Sequence, residues 1–130
     1  MNTTLDRIVA TVTKERAQRV QHDNPGLEIY SLTPETYQRI ATNPGALHTV
    51  LRAGEMVSPH SHTFEAWYFT DGVRELFTEQ KASVNLPEYA AIRVAPRTVH
   101  GWNDVYAGKE QGTITHFHVG HGVHKVHNLY

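Results

Sequence analysis

The chain contains no cysteine. That absence removes thiol nucleophiles, thiolate metal sites and disulfide staples together, and it fits a reducing compartment. A dominant charge is missing as well: 12 basic and 13 acidic residues leave a formal net charge of −1. The two signs are interspersed, so there is no basic stripe for a phosphate backbone and no nucleic-acid partner is expected. No apolar run approaches the ~20 residues that a membrane-spanning helix needs, and Asp6, Arg7, Lys14 and Glu15 interrupt the amino-terminal apolar pattern. A soluble, cytoplasmic protein with no membrane partner is the expectation. The sequence also lacks a G-x-S-x-G elbow, a phosphate-cradling glycine loop and an H-E-x-x-H pair, three common signatures of hydrolases, nucleotide enzymes and zinc proteases.

What the sequence has in quantity is histidine, ten in 130 residues. That length suffices for one hydrophobic core without cross-links. A single domain over 1–130 is therefore expected, with a helical extension over about 1–45, a barrel over about 46–120 and a His-rich tail over 121–130. Leu5, Ile8, Val9 and Val12, continued by Ala17 and Val20, recur at helical spacing and predict an amphipathic opening helix. It would cover a barrel, its own or a partner's. His22 to Gly26 breaks the pattern, and Glu28 to Leu32 is β-prone. Thr33-Pro34-Glu35 predicts a short second helix, with a capping hydroxyl, a proline at the first helical position and an acid in the first turn; Tyr37 and Ile40 anchor it and Asn43-Pro44-Gly45 stops it.

From Ala46 onward, short β-prone runs alternate with turn signals, the texture of an all-β sandwich or barrel. The runs are Leu47–Arg52, Val57–His62, Glu65–Thr70, Val73–Thr78, Ser83–Leu86, Ala91–Ala95, Val99–Trp102 and Gly112–Val119. Asp71-Gly72 reads as a two-residue hairpin turn, and Val105 to Gln111 as a mobile loop.

Gly54, His60, His62, Glu65 and Gly72 form the pattern G-x5-H-x-H-x2-E-x6-G. Shuffling this composition yields H-x-H-x-x-E roughly 0.05 times per chain, and about 0.0003 times with both glycines in place. His60 and His62 share a strand face. Glu65 lies an odd number of residues beyond them, so a turn or bulge around Thr63 and Phe64 must return its carboxylate to that face. Two imidazoles and a carboxylate suit a divalent transition metal. His100, in the run Ala95 to Asn103, is a fourth ligand that an antiparallel neighbour can deliver. On the strand from Glu65, Trp67 and Phe69 share the glutamate's face and are expected to line the interior, with Tyr68 opposite in packing or an interface. His116 and His118 share a face with Ile114 and offer a substrate contact or proton shuttle beside the bland reading of strand histidines. His48 is similarly ambiguous. His121, His124 and His127 read as an adventitious metal-binding or subunit-contact segment.

On these residues the chain resembles a single-domain cupin. The family's first motif, G-x5-H-x-H-x3-4-E-x6-G, is matched by Gly54, His60, His62, Glu65 and Gly72 with one residue fewer before the glutamate. Its second, G-x5-P-x-G-x2-H-x3-N, is matched more loosely: His100 takes the histidine position, Tyr89, Ala95 and Arg97 stand where Gly, Pro and Gly are usual, and Asn103 comes one residue early with Asp104 in its slot. The resemblance implies a small antiparallel jelly-roll barrel with His60, His62, Glu65 and His100 inward on one divalent metal: iron first, with manganese, nickel, zinc, cobalt or copper as other candidates. The shortened spacing leaves open a three-histidine site with Glu65 beside it as base or orienter, and Arg97 is placed to reach an anionic substrate.

An open-sided centre of this kind can chelate two oxygen donors of a small organic substrate and, with a redox-active ion, admit dioxygen. The resemblance therefore implies a dioxygenase first, with Glu65 or a neighbouring histidine as catalytic proton carrier and Trp67, Phe69 and Trp102 excluding water. An isomerase or lyase on the same site, and a non-catalytic binding module, are the alternatives. A homodimer is expected.

Overall fold

The computed structural model describes residues 3–14, 18–20, 24–79 and 83–117. Two helices, α1 (Thr3–Lys14) and α2 (Pro34–Ala41), accompany ten strands: β1 (Gln18–Val20), β2 (Leu27–Ser31), β3 (Leu47–Arg52), β4 (Met56–His60), β5 (Ala66–Asp71), β6 (Val73–Phe77), β7 (Ser83–Asn85), β8 (Tyr89–Val94), β9 (His100–Val105) and β10 (Gln111–His116). All pairings are antiparallel, in a six-stranded sheet ordered β1-β2-β8-β5-β10-β3 and a four-stranded sheet ordered β4-β9-β6-β7. The expected all-β class holds, and the two ladders remain separate sheets rather than one closed barrel.

Alternation along the strands sorts side chains into two layers. Between the sheets lie Leu27, Ile29, Leu51, Ala66, Tyr68, Val73, Leu76, Ala90, Ile92, Val94, Trp102 and Ile114. On the outer face of the large sheet, Trp67, Phe69, Ala91 and Phe117 meet Ile8 and Val12 of α1 and Tyr37 and Ile40 of α2. The amphipathic opening helix thus covers its own sheet. Each large side chain so buried contributes roughly 1.5–3 kcal/mol, which is what holds helices this short in place.

The second helix forms as its sequence dictates: Thr33 Oγ1 accepts the Thr36 amide at 3.1 Å and Pro34 opens the first turn. The first helix is shorter than expected. Gln18–Val20 forms β1 rather than more helix, with Val20 opposite Ile29 on β2. A β-branched residue beside an open strand edge gains more from ladder pairing than from another helical turn.

Two turns also behave differently from their sequence reading. Asp71-Gly72 does not close a hairpin: β5 and β6 belong to different sheets, and Gly72, at φ +75°, turns the corner between them. Its left-handed backbone still explains the glycine. The 106–110 segment is an anchored turn, with the Tyr106 hydroxyl donating to the Leu86 carbonyl and Lys109 Nζ 3.0 Å from both Asp71 and Glu88.

Candidate metal centre

β4 and β9 are neighbours in the small sheet, and their register sets His60 directly opposite His100 across a bulge between Val57 and His60. The bulge needs Gly101. A Cβ there would lie 2.6 Å from the Val57 carbonyl oxygen and 2.9 Å from the Pro59 nitrogen, so only glycine lets the two backbones close at this point. His62 follows two residues past the end of β4. Its carbonyl accepts the Arg97 amide, which ties the approach to β9 against the end of β4.

That approach is a tight turn closed by the Thr98 amide on the Ala95 carbonyl, with Pro96 second and Arg97 third at φ +62°. Glycine is the favoured residue at such a third position, and Arg97 occupies it in the same left-handed region. Thr98 packs over Gly26, where a Cβ would meet its hydroxyl at 2.3 Å. Thus seated, the Thr98 carbonyl accepts from Nδ1 of His100 at 2.9 Å, and the Ser58 carbonyl accepts from Nδ1 of His60 at 2.7 Å. A carbonyl cannot donate, so both histidines carry their proton on Nδ1 when neutral and turn the Nε2 lone pair the other way.

His60, His62 and His100 each bring one ring nitrogen to within 4.8 Å of the others. The ring centroids are 4.4 Å apart for His60–His100, 5.0 Å for His60–His62 and 5.1 Å for His62–His100. His100 and His62 are buried, at 0 % and 4 % exposure, and His60 is partly buried. Burial pushes the His60 imidazole below its usual pKa, against the opposing pull of the Ser58 carbonyl. It therefore favours the neutral form that binds metals. Three imidazoles converging from two chain segments, two of them oriented by backbone carbonyls, fit a transition-metal ion.

Glu65 does not join them. It is exposed, and Oε2 accepts from Nη2 and Nε of Arg93 at 2.7 and 3.0 Å. No bulge returns its carboxylate to the histidine side; β5 begins at Ala66, and its alternation places Glu65 with Trp67 and Phe69 on the outer face of the large sheet. Trp67 stacks on Tyr30 there, and neither it nor Phe69 lines the interior. Arg97 is exposed in its turn. Trp102 does lie inside, edge-on to Tyr68 at 5.2 Å between centroids, and His116 approaches Tyr68 at 6.4 Å. His118, His121, His124 and His127 fall outside the described residues. His48 sits on the helix side of the large sheet, Nδ1 2.8 Å from Thr115 Oγ1.

The residue missed from sequence is Tyr68. Its hydroxyl is 3.2 Å from Nε2 of His62, its ring 5.5 Å from that of His100, and it is 2 % exposed. Phe64 stacks on His62 at 4.9 Å. A signal for Tyr68 was available: 60, 62, 66 and 68 share one parity, so plain alternation carried through the connection puts Tyr68 on the histidine face.

The chain matches no model of a known protein family and no curated protein. Among the described residues, no helix is long and apolar enough to cross a membrane.

Proposed function

We propose that the chain is a cupin-like jelly-roll metalloprotein whose His60, His62 and His100 hold one divalent transition metal, iron first, and that it is a dioxygenase acting on a small organic molecule. The observation that carries this reading is the convergence of the three imidazole nitrogens within 4.8 Å between the sheets. A jelly roll accounts for the two facing antiparallel sheets with strand partners distant in sequence. A bound ion would supply Lewis acidity and, if redox-active, a place for dioxygen. The chain's own residues do the rest. Trp102 and Phe64 keep water from the buried side, and the phenol of Tyr68 takes over the proton-carrying role expected of Glu65. The same phenol would equally serve an isomerase or lyase, which needs proton movement without oxygen. Pairing of two copies into a homodimer belongs to the proposal, with β3, an edge strand among the described residues on which Leu47 and Val50 are exposed, as the place to look.

Metal analysis of protein purified without oxygen tests the centre. About one equivalent per chain is expected, falling sharply in His60→Ala, His62→Ala and His100→Ala and unchanged in His48→Ala. Equal metal in all four variants rules the centre out. Oxygen uptake with diketones, catechols and thiols then tests the reaction; uptake with none of them moves the reading to isomerase, lyase or binder.

A further inference from the structure

Among the described residues no aspartate or glutamate is buried; the buried polar side chains are Thr36, His62, Thr70, Thr78, His100 and Thr115. The acids nearest in sequence to the centre are committed elsewhere: Glu65 to Arg93, Glu55 to the Arg52 amide, and Asp104 to Arg74 and to backbone amides. The imidazoles instead face aromatic neighbours, Phe64, Tyr68 and Trp102. A divalent ion held by three neutral nitrogens keeps its whole double charge, in surroundings where water screens it poorly.

We infer that the ligand itself supplies the missing negative charge, so that the metal-loaded centre selects small anionic oxygen chelators, 2-oxo or 2-hydroxy carboxylates and enolates, over neutral molecules of the same shape. This rests on the metal reading above. A buried donor also lies between the sheets. Thr70 is fully buried, its Oγ1 has no hydrogen-bond partner among the described residues, and it follows Tyr68 on the inward-facing row of β5, roughly 7 Å along the strand. A buried hydroxyl left without a protein acceptor can donate to an oxygen anion.

Cobalt(II) is the probe, because its visible spectrum reports changes in its ligands. Binding of pyruvate against pyruvamide, and of lactate against lactamide, is titrated with cobalt-loaded protein and with aqueous cobalt(II). The protein's preference for the carboxylates should exceed the aqueous ion's by about tenfold or more. In His62→Glu, which puts a carboxylate into the ligand set, the preference should narrow by about tenfold; His100→Glu serves if the first variant does not fold. A wild-type preference no greater than that of aqueous cobalt(II), or one unchanged in a cobalt-binding variant, overturns the inference and leaves the metal centre standing. Failure of the wild-type protein to take up cobalt removes the metal reading, and the charge argument goes with it.

Discussion

The hydroxyl of Tyr68 lies 3.2 Å from Nε2 of His62, on the ring edge away from Nδ1. His60 and His100 present Nε2 inward because their Nδ1 atoms are held by carbonyls; His62, held at Nε2, is left to present Nδ1. The three histidines therefore differ in which nitrogen a neighbour holds, Nδ1 in His60 and His100 and Nε2 in His62, where Tyr68 is the positioning residue. Tyr68→Phe removes one oxygen and leaves the buried ring, so the fold should persist. Metal affinity, read by competition with a chromogenic chelator, should fall by about tenfold or more. Unchanged affinity would remove Tyr68 from the centre.

Glu65→Gln makes the converse point. Its carboxylate is bound to Arg93 on the outer face, so metal content should match that of wild type. The partly exposed ion pair should cost only about 0.2–1 kcal/mol when broken, measured by urea denaturation. A large loss of metal with the fold intact would put the carboxylate back on the centre.

The two variants also mark how far the sequence could be read. The histidines were legible because spacing along one strand and one distant histidine suffice to name them. The parity of β5 is legible by plain alternation but is lost once a turn at Thr63 and Phe64 is inserted to bring Glu65 to the histidines, because one residue of register moves every side chain to the other face. A single slip thus misplaced Glu65, Trp67, Phe69 and Tyr68 together. The strand Leu47–Arg52 and the helix after Thr33 were readable because their signals are local. β1 was not, since a valine favours a ladder only when an edge is there to meet it. Arg97 shows tertiary context overriding local preference: the turn persists in the left-handed region without its usual glycine.

Gly101→Ala tests the bulge that brings His60 and His100 together. The added methyl would sit 2.6 Å from the Val57 carbonyl oxygen, and the obstacle is backbone, not a side chain that can swing away. β4 and β9 must separate locally. Stability should fall by about 1–3 kcal/mol, and metal affinity should fall with it because the opposing histidines move apart. Measuring both on one sample decides the matter: lost stability with wild-type metal affinity would mean that the centre does not depend on this close approach.

Acid should weaken a second joint, at the corner between β3 and β4. Asp104 accepts the Gly54 amide at 2.9 Å and the Val105 amide at 2.8 Å, and these bonds, helped by Arg74, hold its carboxyl below the ordinary aspartate range. Because the folded pKa is the lower one, the unfolded chain binds the proton first as pH falls through the ordinary value of about 3.9. The contribution of Asp104 is thus fully present above that value and is lost as pH drops toward the folded pKa. Asp104→Asn keeps a residue that tolerates the observed φ of +60° and removes only the charge. Its unfolding free energy, followed in urea from pH 7 down to 3, should therefore decline less steeply at the acid end than that of wild type. Parallel curves would mean that the two amide bonds do not depend on the charge they now receive.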